Sequence, residues 1–232
     1  MTHVATPPVA QINAMMKRLA GEFLGTFALV FCGTGAIVIN QESGGTITPL
    51  GISLVFGLIV MAMILSLGHV SGAHINPAVT IALSVAKKFN RQNIVPYIAS
   101  QLAGACLASF ILKNLFPANE FLGATIPKGS DMQSFILEFI LTFLLMLVIL
   151  TSTDKKDRSV LVPALAIGST VGLEALFAGP ICGASMNPAR SISPALICWH
   201  FESLWVYIFA PVTGALTASF AFVVLKEGYS EI

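Results

Sequence analysis

The stretch "SGAHINPAVT", residues 71–80, places His74, Asn76 and Pro77 inside a strongly apolar chain, and "GASMNPARS" at 183–191 nearly repeats it. Asparagine is among the best residues for capping the start of a helix, and proline is favoured at the first helical position. Each Asn-Pro-Ala tripeptide therefore predicts a helix that begins there. The two tripeptides are Asn76, Pro77 and Ala78, and Asn187, Pro188 and Ala189.

Both predicted helices are short. The first runs from Asn76 to Ala86 and the second from Asn187 to Cys198, which makes 11 and 12 residues. At a rise of 1.5 Å per residue they are about 16–18 Å long, whereas the hydrocarbon core of a bilayer is about 30 Å thick. Each helix would therefore cross only half of a membrane.

The composition is that of a membrane protein. The 232 residues are 56% hydrophobic and 10% charged, and the mean hydropathy is +0.86, so polar groups are too few to cover a water-facing surface. A formal net charge of +1 without a basic run gives no indication of a nucleic-acid partner. The four cysteines show neither paired spacing nor a neighbouring histidine cluster, which argues against a disulfide framework or a metal site.

Apolar runs long enough to span a bilayer recur along the chain. Six of them lie near 18–39, 48–68, 94–116, 132–151, 161–178 and 203–225. Most basic residues lie on the side that both termini share: Lys17, Arg18, Lys87, Lys88, Arg91, Lys155, Lys156, Arg158 and Lys226. The positive-inside bias therefore predicts cytoplasmic termini, with a tail at 1–17, a membrane domain at 18–225 and a second tail at 226–232.

The two halves of the membrane domain resemble each other. Glu22 in "GEFLGTF" corresponds to Glu138 in "LEFILTF", and the Asn-Pro-Ala tripeptides follow at similar offsets. This spacing indicates a duplication, with repeats at about 18–116 and 132–225. Because each repeat has three spans, an odd number, the second copy must cross the membrane upside down. We predict an all-α membrane protein with six transmembrane helices and two half-membrane helices that meet near the midplane.

The segments that lead into the two short helices, "HVSGAH" at 69–74 and "GPICGAS" at 179–185, are rich in glycine. Irregular backbone at membrane depth is tolerated only where it is buried in protein or lines a watery cavity. These loops are therefore predicted to line a pore. An ion-coupled transporter also uses inverted repeats and broken helices, but it would need an ionisable group at the midplane, where the sequence places neutral asparagines.

Taken together, the paired tripeptides, the Glu-x-x-x-Thr-Phe of the first and fourth spans and "NPARS" resemble the aquaporin family of major intrinsic proteins over residues 18–225. "LGHVSGAHINPAVT" and "FAGPICGASMNPARS" look most like the nodulin-like branch of plants and its bacterial relatives. The resemblance implies the aquaporin fold, a homotetramer with one pore per subunit, and a plasma or cell inner membrane. It also implies passive passage without a catalytic residue or cofactor.

The resemblance further implies residue roles. Asn76 and Asn187 would cap their helices and offer amide N–H groups to the permeating molecule, while the converging helix dipoles repel cations. Glu22 and Glu138 would accept hydrogen bonds from the pore loops and hold loop carbonyls toward the solute. Those carbonyls would belong to Gly72, Ala73, His74, Gly183, Ala184 and Ser185.

A selectivity filter is expected on the outer side of the tripeptides. The resemblance assigns it to Phe56, Ala175, Ala184 and Arg190. Strict water channels of the family usually carry histidine where this chain has Ala175, so the opening should be wider and more apolar. The expected function is a channel for water and small uncharged solutes such as glycerol, urea or neutral metalloid acids.

The sequence leaves three alternative functions and the role of one residue undecided. The alternatives are a water-selective pore, the ion-coupled transporter and a membrane adhesion or scaffold protein. The short loops offer little surface for adhesion. Glu174 adjoins Ala175, and it either reaches to the membrane interface or bonds to the filter loop.

Overall fold

A computed structural model describes residues 8–154 and 159–229, with side chains from 12 to 154 and from 159 to 225. These residues form α-helices and a short 3-10 turn, and no strand occurs among them. The helices are α1 Pro8–Glu42, α2 Thr48–Ser71, α3 Pro77–Val85, α4 Ile94–Leu115, α5 Asp131–Ser152, α6 Leu161–Cys182, α7 Pro188–Cys198 and α8 Val206–Tyr229. The predicted all-α class is confirmed.

Six of these helices, α1, α2, α4, α5, α6 and α8, are long and apolar enough to cross a membrane, as predicted. Within the described residues the first is already helical at Pro8, ahead of the predicted span at 18, because neither proline nor glycine interrupts residues 9–18. The predicted tail is therefore helical over 8–17. Residues 1–7 and 230–232 of the predicted tails, and the basic loop residues Lys155, Lys156 and Arg158, lie outside the described residues.

The two short helices begin immediately after the asparagines. The side-chain oxygen of Asn76 accepts a hydrogen bond from the backbone N–H of Ala78 at 2.9 Å, and Asn187 accepts one from Ala189 at 3.0 Å. Helix α3 has 9 residues and α7 has 11, so neither can span a bilayer alone. Each half-helix is thus fixed locally by its own capping asparagine.

Helix packing interlocks the two halves. Helix α1 packs on α4, and α5 packs on α8 in the same way, while α2 and α6 meet between the halves. Half-helix α3 of the first repeat packs on α8 of the second, and α7 packs on α4 of the first. Each half-helix therefore packs more extensively on the other repeat than on its own.

Equivalent glycines mark the closest helix contacts. A methyl group added at Gly57 of α2 would lie 2.7 Å from the carbonyl oxygen of Gly168 of α6, and one at Gly168 would lie 2.7 Å from that of Gly57. A methyl group at Gly104 would overlap the backbone of Phe23, and one at Gly214 would overlap that of Phe139. Small residues of this kind allow membrane helices to approach closely.

Replacing either Gly104 or Gly214 by alanine should therefore destabilise the fold. The neighbouring atoms belong to backbone, so the helices must separate, and overpacking of this kind costs about 1–3 kcal/mol. We expect Gly104→Ala and Gly214→Ala to lower the thermal unfolding midpoint of the purified protein in detergent. Gly179→Ala is the matched control, because a methyl group there meets nothing within 4 Å. Equal midpoints for all three variants would contradict the packing role.

Candidate pore and selectivity filter

A cavity of about 420 Å³ leads into the centre of the helix bundle. One end lies beside Lys88, Thr153 and Ser159, and the other reaches Phe56 and Arg190. Between these ends the cavity passes both capping asparagines, which also line it. The two inverted half-helices therefore open onto one shared channel.

The cavity wall has two chemically different sides. One side is apolar and is formed by Leu29, Val60, Ile64, Val79, Leu83, Leu145, Ile149, Val160, Ile167 and Val171. The other side consists of the pore loops, with Gly72, Ala73, His74 and Ile75 from the first and Ala184, Ser185 and Met186 from the second. Gly183, which was predicted to contribute a carbonyl, caps α6 instead and does not line this cavity.

Both pore loops have strained backbone at matching positions. Ala73 and Ile75 have positive φ angles of 46° and 44°, and their counterparts Ala184 and Met186 have 41° and 53°. A residue with a side chain in this left-handed region costs about 1–3 kcal/mol. The surrounding structure must therefore hold both loops in place.

Two buried glutamates provide that support. The carboxylate of Glu22 accepts the backbone N–H groups of His74 at 3.0 Å and Ile75 at 2.7 Å. The carboxylate of Glu138 accepts those of Ser185 at 2.7 Å and Met186 at 2.8 Å. With the N–H groups directed at the carboxylates, loop atoms on the opposite side are left to face the cavity.

Two polar side chains without a role in the sequence interpretation, those of Gln101 and Thr80, extend the support of Glu22. The Gln101 amide donates to Glu22 at 2.7 Å and to the Thr80 hydroxyl at 2.9 Å. His74 lies against the same hydroxyl, with 3.1 Å between Nδ1 and Oγ1. The repeat gave no sign of this role for Gln101, because the equivalent position in the second half is Pro211, which has no polar side chain.

The second loop is held differently, by a chain of hydroxyl groups. Thr125 donates to Ser191 at 2.8 Å, Ser191 contacts the hydroxyl of Ser185, and Ser185 donates to the carbonyl oxygen of Asn187 at 2.9 Å. Thr125 belongs to the connection between the repeats, and the sequence pattern gave no sign that it approaches the loop. That connection therefore forms part of the site.

The asparagines are also bonded to each other's loops. Asn76 Nδ2 donates to the carbonyl oxygen of Met186 at 2.7 Å, and Asn187 Nδ2 donates to that of Ile75 at 2.8 Å. A primary amide has two N–H donors, so one hydrogen on each asparagine is used in this lock. Only the second amide hydrogen of each asparagine is left for a permeating molecule. Each asparagine can therefore donate one hydrogen bond to that molecule rather than two.

Arg190 lies at the end of the cavity opposite Lys88. Its Nη1 donates to the carbonyl oxygen of Gly123 at 2.8 Å, and its guanidinium carbon lies 5.4 Å from the centre of the Phe56 ring, within cation–π range. Guanidinium has five N–H donors, so several are left for a solute. The structure thus brings Phe56, Ala184 and Arg190 together at the cavity.

Ala175 does not line this cavity. It is half-buried and packs beside the apolar cluster that includes Phe56, while Val171 lines the cavity one helical turn earlier. Residues four apart share one face of a helix, so this periodicity could have identified Val171 from the sequence.

Glu174 takes neither of the two positions considered on the sequence. Its side chain is 4% exposed, so it does not reach the membrane interface. Neither carboxylate oxygen has a hydrogen-bond partner among the described residues, so it does not bond to the filter loop either. The Glu174 side chain is buried against neighbouring residues rather than exposed to lipid. A charged carboxylate without a partner at such a site would be destabilising.

Comparison with known proteins agrees with this geometry. A model of the family described as Major intrinsic protein matches residues 9–222. Aquaporin NIP3-1 of Arabidopsis thaliana is 46% identical over 237 residues, covering 97% of this chain and 73% of that protein. Aquaporin NIP1-1 of Oryza sativa subsp. japonica is 45% identical over 213 residues, covering 91% and 75%. The X-ray structure of the aquaglyceroporin from Plasmodium falciparum superposes with a TM-score of 0.82 at 28% identity, covering 88% of this chain and 94% of that one.

Two conservative substitutions test the role of the loop supports. In Glu138→Gln, one carboxylate oxygen is replaced by an NH2 group, which cannot accept a hydrogen bond from the backbone N–H that it faces. Hydrogen bonds to a charged group contribute about 1.5–3 kcal/mol. We expect this variant to lose thermal stability and water permeability in proteoliposomes. Glu174→Gln has the same change of chemistry without a hydrogen bond among the described residues to lose, so both measurements should stay near the original values. Equal damage from the two substitutions would refute the assigned difference.

Proposed function

The chain belongs to the major intrinsic protein family, and from this membership we propose that it is a passive membrane channel for water and small uncharged solutes. The sequence-based recognition of that family and of its nodulin-like plant branch is confirmed by the relatives. One observation carries the proposal: a single cavity passes both asparagines and reaches Arg190. The proposal includes no catalytic residue and no cofactor.

The solute range follows from the size of the filter residues. Ala184 contributes only a methyl group beside Phe56 and Arg190. Arginine N–H groups and loop carbonyls can exchange hydrogen bonds with hydroxyl or amide groups, while the apolar wall accepts a carbon skeleton. Glycerol, urea and neutral metalloid acids are therefore the proposed solutes in addition to water.

Exclusion of ions has two supports. Helices α3 and α7 both direct their N-termini, with their partial positive charge, at the cavity beside the asparagines. Arg190 adds a full positive charge at the outer end. The described lining residues include no carboxylate, and an ion-coupled transporter would use one to bind a coupling ion.

The molecular surface suits a multi-pass integral membrane protein. Large apolar side chains are exposed on all six long helices, among them Leu24, Leu58, Phe110, Ile140, Phe177 and Phe220. The proposed assembly is a homotetramer with one pore per subunit, in the plasma or cell inner membrane with both termini cytoplasmic. Chemical crosslinking in native membranes and accessibility labelling at both termini test these two statements.

Stopped-flow light scattering of proteoliposomes tests the function directly. We expect fast shrinkage in an impermeant osmolyte, which reports water permeability. When the osmolyte is glycerol, urea or boric acid, shrinkage should be followed by re-swelling as the solute enters. Ala184→Trp is the blocked control, because an indole beside Phe56 and Arg190 fills the filter. Water permeation without any larger solute would leave a water-selective pore, and uptake that requires an ion gradient would contradict a passive channel.

A histidine introduced on α6 near the filter should restrict the larger solutes. We expect Ala175→His to lower glycerol permeability more than water permeability, if the imidazole extends from beside the apolar cluster into the opening and adds a polar edge there. Val171→His is the companion variant, since Val171 lines the cavity and Ala175 packs one turn away. If only Val171→His changes the ratio, residue 171 rather than 175 is the filter position on α6.

A further inference from the structure

The ring of Phe56 lies between two elements. On one side is the guanidinium group of Arg190, 5.4 Å from the ring centre. On the other side is Gly33 of α1, where an added methyl group would lie 2.6 Å from both Cδ1 and Cζ of the ring. Phe56 is 8% exposed and lines the cavity. The ring thus occupies the space that a side chain at position 33 would fill.

Gly33 differs from the glycines that bring helices together. At Gly104 and Gly214 an added methyl group meets the backbone of a neighbouring helix, whereas at Gly33 the three nearest atoms all belong to the Phe56 ring. A backbone contact fixes the distance between helices. A contact with one side chain fixes where that side chain lies.

The second repeat shows the same space filled in another way. The residue equivalent to Gly33 is Ile149, and the residue equivalent to Phe56 is Ile167. Both isoleucines line the cavity. One half therefore combines the smallest residue with a large ring, and the other combines two residues of intermediate size.

We propose that Gly33 is a specificity-determining position of the pore. By leaving room on α1, it lets the Phe56 ring withdraw from the cavity and so sets the opening between that ring and Arg190. A methyl group at position 33 would displace the ring toward Arg190, because a side chain moves more readily than two packed helices. This inference rests on the proposed passage of solutes larger than water.

The test compares glycerol and water permeability in proteoliposomes of Gly33→Ala. We expect the ratio of glycerol to water permeability to fall roughly tenfold, a size typical of one carbon in an apolar site. Gly35→Ala is the matched control, since the methyl group there would lie 3.4 Å from a methyl carbon of Leu112, an ordinary contact. Its ratio should be unchanged.

A second background separates this role from helix packing. In Phe56→Leu the ring is absent, so Gly33→Ala should no longer change the ratio. If Gly33→Ala alone does not fold but the double variant does, the contact serves to pack the domain rather than to set the opening, which would overturn the inference. An equal loss of glycerol and water permeability in Gly33→Ala, or an effect that persists with Phe56→Leu, would overturn it.

The original chain is measured first, so failure of the proposed solute range is seen separately. If it conducts only water, the wide filter is refuted, and the Gly33 inference is then tested on water permeability alone. In that case Gly33→Ala must lower water permeability with Phe56 present and leave it unchanged in the Phe56→Leu background. The absence of this difference would overturn the inference independently.

Discussion

The structure depends on one reciprocal lock, in which each capping asparagine donates to a carbonyl oxygen in the opposite pore loop. The two hydrogen bonds, from Asn76 to Met186 at 2.7 Å and from Asn187 to Ile75 at 2.8 Å, join half-helices that enter from opposite sides. Each asparagine has already used its oxygen to cap its own helix. One residue type thus starts the half-helix and connects it to its counterpart, which explains why asparagine stands at both positions.

The membrane makes this lock necessary. Backbone groups at membrane depth cannot bond to lipid, so each N–H and C=O in an irregular segment needs a partner inside the protein or in a watery cavity. Glu22 and Glu138 bind four such N–H groups, two in each loop. The crossed packing of α3 on α8 and α7 on α4 then makes each repeat incomplete without the other. The strained loops are therefore held both by a glutamate of their own repeat and by the packing of the other repeat.

Duplication supplies the framework, and the proposed filter is formed by residues that depart from the repeat. The glutamates, the asparagines and the Gly57–Gly168 contact are shared by both halves. Arg190 has no counterpart, because the equivalent residue in the first half is Val79. The Gly33–Phe56 contact and the hydroxyl chain from Thr125 are likewise confined to one half. An exactly symmetric pore would have the same residues at both ends, so the differences between the repeats give the Arg190 end its own chemistry.

The sequence by itself determined the elements whose causes are local. Capping by Asn76 and Asn187 fixed where the half-helices begin, apolar length identified six spans, and the odd number of spans per repeat required inversion. Only the tertiary structure decided how side chains are placed between helices. It shows the hydrogen bond from Arg190 to Gly123, Val171 rather than Ala175 lining the cavity, and Glu174 buried. Those contacts join residues far apart in the chain, and their geometry depends on helix rotation and separation, which hydrophobic pattern alone does not specify.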